Sequence, residues 1–185
     1  MNGITMMRAK AGGLTVERLR PEGTAEAMDM LRGIAGWLKS SGSLQWNGLL
    51  RGEDSHGLEE AAARGEAFLF RAGPKASAEE SRPLAGMVIL LQQPGEWDKE
   101  LWGEQGHEPY LYLHRLAVNR DYAGQGIGAA ILSWAETGAA CEGKSAIRLD
   151  CIGSNDKLNA FYSGFGYTFM GRSDNGFCLY QKEIR

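Results

Sequence analysis

Tyr110-Leu111-Tyr112-Leu113-His114-Arg115-Leu116-Ala117-Val118 is followed, after Asn119-Arg120-Asp121, by Tyr122-Ala123-Gly124-Gln125-Gly126-Ile127-Gly128-Ala129. The first run is apolar and compact, as a strand is. The second opens a segment in which Ile127, Ile131 and Ala135 recur at helical spacing. At a glycine-rich strand-to-helix junction the first-turn N–H groups lack intrahelical partners and sit at the positive end of the helix dipole. Glycines let an anion approach bare backbone. The chemistry implied is anion binding, most naturally of a pyrophosphate. The structural alternative is a tight turn whose glycines serve packing alone.

Working outward, Leu14 to Leu19 reads as a strand. Thr24 opens a helix carrying Met28, Leu31, Ala35 and Leu38 on one face. Residues 40–53 form a loop made unusually apolar by Leu44, Trp46, Leu49 and Leu50, and a short helix follows over Leu58 to Arg64. Ala67 to Phe70 and Met87 to Leu91 are buried strands, joined through a long polar hairpin tip at Gly73–Pro83. Gln92 to Pro109 is an insertion with Trp97 and Trp102 among several acids; loops of that length are often functional. Ala146 to Cys151 is a strand. Ser154 to Ser163 is a helix whose stripe is Leu158, Phe161, Tyr162 and Phe165. Tyr167 to Gly171 and Phe177 to Lys182 are closing strands. Strands and helices mix without strict alternation, which predicts an α/β fold with a mixed sheet and helices on its faces.

The chain of 185 residues suits one domain spanning 1–185. Its formal net charge of −3 leaves no basic footprint for nucleic acid. The longest strongly apolar run, Met87 to Leu91, is far below the ~20 residues of a membrane span. Met1 to Gly13 holds no apolar block of the signal-peptide kind. Cys141, Cys151 and Cys178 lack metal-ligand spacing and are odd in number, so reduced thiols, a cytoplasmic location and no metal are expected. The C-terminal edge strands leave a homodimer open.

Two kinds of phosphate carrier compete for the glycine turn. Gly124-x-Gly126-x-x-Ala129, with Asp150 ending the next strand, loosely fits a dinucleotide fingerprint. Against it, Asn119 to Ala123 separate strand from glycines, the unit comes late, and too little chain follows Asp150 for a second nucleotide-binding half.

The other carrier is coenzyme A. Leu116-Ala117-Val118, the glycine turn, and Asn155-x-x-Leu158-x-x-Phe161-Tyr162-x-x-Phe165-Gly166-Tyr167 together resemble the GNAT superfamily of CoA-dependent N-acetyltransferases. The resemblance implies a single-domain GNAT-like fold with a mostly antiparallel central sheet and helices on both faces. It implies acetyl-CoA as cosubstrate and attack by a primary amine, of a small molecule or a peptide, directly in a ternary complex. It places the pantetheine and an oxyanion contact at the backbone of Leu116, Ala117 and Val118, where the family's strand bulges. The pyrophosphate would lie on Ala123, Gly124, Gln125, Gly126, Ile127, Gly128 and Ala129, with Asn155 a further contact and Tyr162 the acid for the leaving thiolate. Asn155 or Ser154 also suits a helix N-cap, and Tyr162 also suits the core. Ala123 departs from the family's Arg or Gln, a role Arg120 is near enough to fill.

For the base, strand alternation puts Tyr110, Tyr112 and His114 on one face, and His114 titrates in the useful range. A half-buried histidine satisfying a local bond is the other reading. Parity turns Arg115 the opposite way, into a structural ion pair. His56 and His107 fall in loops and are expected to be solvated. The acceptor pocket would draw on Trp46, Trp97, Tyr112 and the insertion, whose Glu96, Asp98, Glu100, Glu104 and Glu108 either favour a cationic acceptor or simply face water. Two rivals stay open: a CoA-binding or sensing module without turnover, and an acyltransferase using another acyl-CoA.

Overall fold

A computed structural model describes residues 3–73 and 82–184; the tip of the expected hairpin, 74–81, lies outside them. In chain order the elements are β1 (Thr5–Met6), β2 (Lys10–Ala11), β3 (Leu14–Arg18), α1 (Thr24–Ser40), α2 (Leu58–Ala63), β4 (Ala67–Arg71), β5 (Leu84–Leu91), α3 (Glu96–Trp102), β6 (Tyr110–Val118), α4 (Ile127–Thr137), β7 (Ala139–Ala140), β8 (Ala146–Ile152), α5 (Asp156–Gly164), β9 (Thr168–Arg172) and β10 (Phe177–Glu183). Eight strands form one sheet in the order β2-β3-β4-β5-β6-β8-β10-β9, and β1 pairs with β7 apart from it. Neighbours in the large sheet run antiparallel except β6 and β8, which are parallel and joined through α4.

The sheet separates two apolar cores. Ile127, Ile131, Trp134 and Ala135 of α4 and Tyr162 of α5 fill one, against Phe68, Phe70, Val88 and Leu90. Leu31, Ile34 and Ala35 of α1 and Leu58 and Ala61 of α2 fill the other, against Leu69, Met87 and Ile89. Covering on both faces explains why β5 is buried along its whole length and reads as an unbroken apolar run. Among the described residues all three cysteines are free thiols, and no helix is long and apolar enough to cross a membrane.

Two departures from the sequence reading bear on the site. The insertion 92–109 contains α3 rather than loop alone. Asp98 starts it by accepting the Gly95 N–H on Oδ2 at 2.9 Å, in a capping arrangement. The second departure is in β6. Leu111 and Leu113 face the α4 core, and so do Leu116 and Val118. The parity therefore flips in mid-strand, as the pairing with β5 shows: Ile89 faces His114, Met87 faces Ala117, and one β6 residue is extra. That residue is Arg115, at φ 51°.

β6 and β8 pair only from Tyr110–Ala146 to Tyr112–Arg148. Both strands continue, to Val118 and Ile152, without further pairing to each other. The sheet thus parts at the carboxyl ends of its two parallel strands, the usual place for a ligand crevice in a sheet with this connection. Gly86 lets β5 approach α4 and β6 here. A Cβ there would lie 2.6 Å from Ile131 Cδ1 and 2.7 Å from the Ala117 carbonyl oxygen. Gly86→Ala should therefore destabilise the fold by about 1–3 kcal/mol, read as a lower urea midpoint at unchanged slope.

Candidate active site

One side of the crevice is built from one continuous stretch of chain. Ala123 to Gly126 are exposed. Gly124 and Gly126 take φ of 77° and 73°, a backbone open to glycine at no steric cost. Gly126 is the N-cap of α4 and supplies no side-chain cap. The first helical bond of the turn is Ala130 N–H to the Gly126 carbonyl, so the amides of Ile127, Gly128 and Ala129 face outward at the positive end of α4. Gly128 lies close to Val118 and Phe161, tying this turn to the end of β6 and to α5. Arg120, near enough in sequence to replace the missing side chain at Ala123, instead stacks its guanidinium on Trp37 at 3.5 Å from the ring centroid.

Asn155 caps α5, its Oδ1 accepting the Leu158 N–H at 3.0 Å. Tyr162 is buried among Phe161, Tyr167 and Tyr180. Burial, reinforced by Cys151 and Asp150, raises its phenol pKa well above the ordinary value, so it keeps its proton. Leu116 and Val118 send their side chains into the α4 core while their backbone runs along the unpaired edge of β6; Ala117 points to the other face.

The second side of the crevice is a compact polar cluster. His114, 6% exposed, bonds through Nε2 to Oδ1 of Asp98 at 2.8 Å; Asp98 is 1% exposed. A carboxylate only accepts, so Nε2 carries a hydrogen, which in the neutral imidazole leaves the lone pair on Nδ1. The His56 ring stacks on His114 at 4.0 Å and 21°. Burial, with help from His114 and Arg115, pushes His56 down to about 2, so it is neutral. Asp150, on β8 across the gap, accepts the Trp97 indole N–H at 3.1 Å. Burial raises its carboxyl above the ordinary value despite the opposing pull of His114. Asp98, His114 and Asp150 each bring one donor atom within 4.8 Å of the others, a spacing a cation could share, but Asp98 and His114 are already bonded to each other.

Because of the bulge, Arg115 does not turn away from His114. Its guanidinium lies 5.3 Å from the Trp46 ring centroid, and its NH2 lies 3.9 Å from Asp54 Oδ1. Burial lowers its pKa against the opposing pull of Asp54 and Asp150.

Of the residues expected to meet the acceptor, Trp46 stands over Arg115. Trp97 packs edge-on to Phe177 and lines a cavity of about 350 Å³ with His56, Ser55, Glu66 and Gln93. Tyr112 is placed elsewhere: it is wholly buried, with its hydroxyl between His107 Nδ1 at 2.5 Å and Arg148 NH1 at 3.2 Å. His56 and His107, expected in water, are packed instead. His107 also bonds the Gly103 carbonyl oxygen at 2.8 Å and so pins the insertion to β6. Asp98, His56 and Arg115 are the site residues that sequence reasoning assigned other duties. One signal for Asp98 was present: Trp97, Asp98, Leu101 and Trp102 fall on one helical stripe.

Residues 43–167 match the acetyltransferase (GNAT) family. The chain is 47% identical over 150 residues, 81% of its length and 79% of the relative's, to the protein called uncharacterized N-acetyltransferase YesJ of Bacillus subtilis strain 168. A GNAT-family acetyltransferase structure from Listeria monocytogenes superposes with a TM-score of 0.71 at 36% identity, covering 95% of this chain and 98% of that one. A PaiA N-acetyltransferase of Thermoplasma acidophilum, solved in complex with coenzyme A, shares the fold at a TM-score of 0.64 and 16% identity, covering 92% of this chain and 99% of that one.

The stacked histidines give the fold an acid sensitivity. In the unfolded chain His56 ionises near 6.5, and in the fold near 2. The unfolded chain takes up the proton first as pH falls, so the stability from a neutral His56 is complete above pH 6.5 and drains below it. Urea unfolding should show a loss of up to about 1.4 kcal/mol per pH unit from this group below pH 6.5. His56→Phe, which keeps a stacked ring without the proton site, should flatten that slope.

Proposed function

The chain belongs to the GNAT family of acetyltransferases, and we propose that it acts as one domain over 1–185 that moves an acetyl group from acetyl-CoA to a primary amine of a small molecule or peptide, by direct attack in a ternary complex. The observation that supports this reading is the parted sheet: outward-facing amides of Ile127 to Ala129 stand beside a gap bordered by β6, which carries His114. Asp150 links the two sides electrostatically. It contributes to the raised pKa of Tyr162, and His114 acts on its own pKa.

The amines and phosphates of the two substrates divide the labour. The exposed amides at the start of α4 suit the pyrophosphate of the carrier, and the glycines leave room for it. The free edge of β6 beyond Tyr112 offers backbone N–H groups to the pantetheine and to the oxyanion that forms on the attacked carbonyl. An alkylammonium has a pKa of roughly 10 and must lose a proton before attack. His114 Nδ1, on the side of the ring opposite the Nε2–Asp98 bond, takes it directly or through water. Tyr162, a phenol that holds its proton, gives it to the departing thiolate. Asp98 acts through His114 and is a positioning residue.

Release of free thiol from acetyl-CoA with a pooled amine panel tests the whole. Tyr162→Phe should lower kcat about 100-fold while calorimetry still finds coenzyme A bound. Asp98→Asn should lower kcat by about 10- to 100-fold and alter the acid limb of the pH–rate profile, because the amide permits the wrong imidazole tautomer. Coenzyme A binding without turnover of any amine would favour a sensing module, and preference for a longer acyl-CoA would change the donor.

A further inference from the structure

Arg115 is a buried cation whose bonding potential is unspent. Its side chain is 6% exposed, its Nε has no hydrogen-bond partner among the described residues, and the ion pair with Asp54 spans 3.9 Å. Both nearby carboxylates are engaged with other donors rather than closed on it. Asp54 already accepts the His56 and Leu58 N–H groups, at 3.3 and 2.7 Å, and Asp150 Oδ2 holds the Trp97 indole. Arg71 shows what a committed arginine looks like in this protein: it bonds Glu17 and Glu26, each at 2.6 Å. Burying a guanidinium without close partners costs stability.

The backbone is strained at the same place. Among the described residues only Trp46 and Arg115 are non-glycine residues with positive φ, 59° and 51°, and they stack on each other. Strain of this kind persists where the surroundings enforce it and clusters at ligand clamps. Trp46 covers the guanidinium at 5.3 Å from its ring centroid.

We propose that Arg115 binds a carboxylate carried by the acceptor, so that the amine acetylated here belongs to an amino acid or a similar short zwitterion. The inference rests on the acetyl-transfer reading above and names its substrate class. His114 and Arg115 are consecutive, about 3.8 Å apart at Cα, and the bulge brings both to the same side of β6. An amine at the imidazole and a carboxylate at the guanidinium are thus separated by only a few bonds. The planar fork of arginine fits a carboxylate through two parallel bonds. With Asp54 and Asp150 close by, the spot tolerates one added negative charge better than the two of a phosphate.

The test compares amino acids with their decarboxylated amines in pairs, on wild type, Arg115→Gln and Arg115→Lys. Thiol release gives kcat and KM, and saturation-transfer NMR on the CoA-loaded protein reads binding without turnover. Melting curves show whether each variant is folded. Wild type should favour the carboxylate-bearing member by about 100-fold in kcat/KM. Arg115→Gln should collapse that ratio through KM rather than kcat, and Arg115→Lys should restore part of it. The wild-type comparison alone is decisive should the glutamine variant not fold. Equal or better use of the decarboxylated amines by wild type would overturn the inference and leave acetyl transfer standing. Carboxylate-dependent binding that Arg115→Gln abolishes, with no turnover of any amine, would uphold the arginine site and overturn acetyl transfer. Absence of both binding and turnover of the carboxylates would overturn the inference.

Discussion

One extra residue in β6 organises the site. Up to Leu113 the strand alternates regularly and pairs with β5 on one edge and, through Tyr112, with β8 on the other. Pairing to β8 ends at Tyr112, and at Arg115, which enters the left-handed region, the ladder to β5 slips. A bulge adds local twist and bends its strand, and at a parallel pair with a helical crossover the bend opens the carboxyl end of the sheet. Three consequences follow from the same insertion. Backbone groups are released from the sheet, His114 and Arg115 arrive side by side, and the glycine turn is carried to the mouth of the gap.

Release of backbone from a sheet is tolerable only if the surroundings hold the strands where pairing no longer does. Here that support is aromatic and electrostatic. Arg148 of β8 lies against the rings of Tyr110 and Trp102 and bonds the Tyr112 hydroxyl. His107 ties the insertion to that same hydroxyl. Trp97 reaches across from α3 to Asp150. The last paired residues are therefore locked from above, and the opening begins sharply after them. Asp98 bonds on both of its oxygens. One oxygen starts α3 and the other orients His114, so helix formation in the insertion and the tautomer of the imidazole depend on one buried carboxylate.

The two sides of the crevice differed in how plainly the sequence announced them. The carrier side lies within a single stretch, Tyr110 to Tyr167. There the bounds of β6, the glycine turn and the α5 stripe follow from local periodicity and capping, and the family resemblance supplies the bulge. The parity argument failed at Arg115 because alternation assumes an uninterrupted ladder. Nothing in Leu113-His114-Arg115-Leu116 marks the extra residue: the left-handed position is occupied by arginine rather than by glycine or asparagine. His56 and Asp98 were overlooked for another reason: each is polar, and its packing depends on a partner remote in sequence, His114, although the stripe through Trp97, Asp98, Leu101 and Trp102 marked one face of α3.

That contrast has a physical basis. A carrier with fixed pyrophosphate and pantetheine can be met by backbone geometry alone, and backbone geometry is set by short-range rules of glycine, capping and strand length. An acceptor is met by side chains, and those collected here come from the loop at Trp46 to His56, from α3, from β6 and from β8. Each contributes one or two residues to a cluster in which acids, imidazoles and a guanidinium nearly balance. Balance matters because Asp98, His114 and Arg115 are buried. Asp98 with His114 forms a satisfied pair, His56 stays neutral beside them, and Asp150 is stabilised in part by the indole N–H. Among the described residues the Arg115 Nε has no hydrogen-bond partner, and its ion pair with Asp54 spans 3.9 Å. A buried cation without a close partner is where a substrate's complementary charge gains most, since its desolvation cost is already borne by the fold.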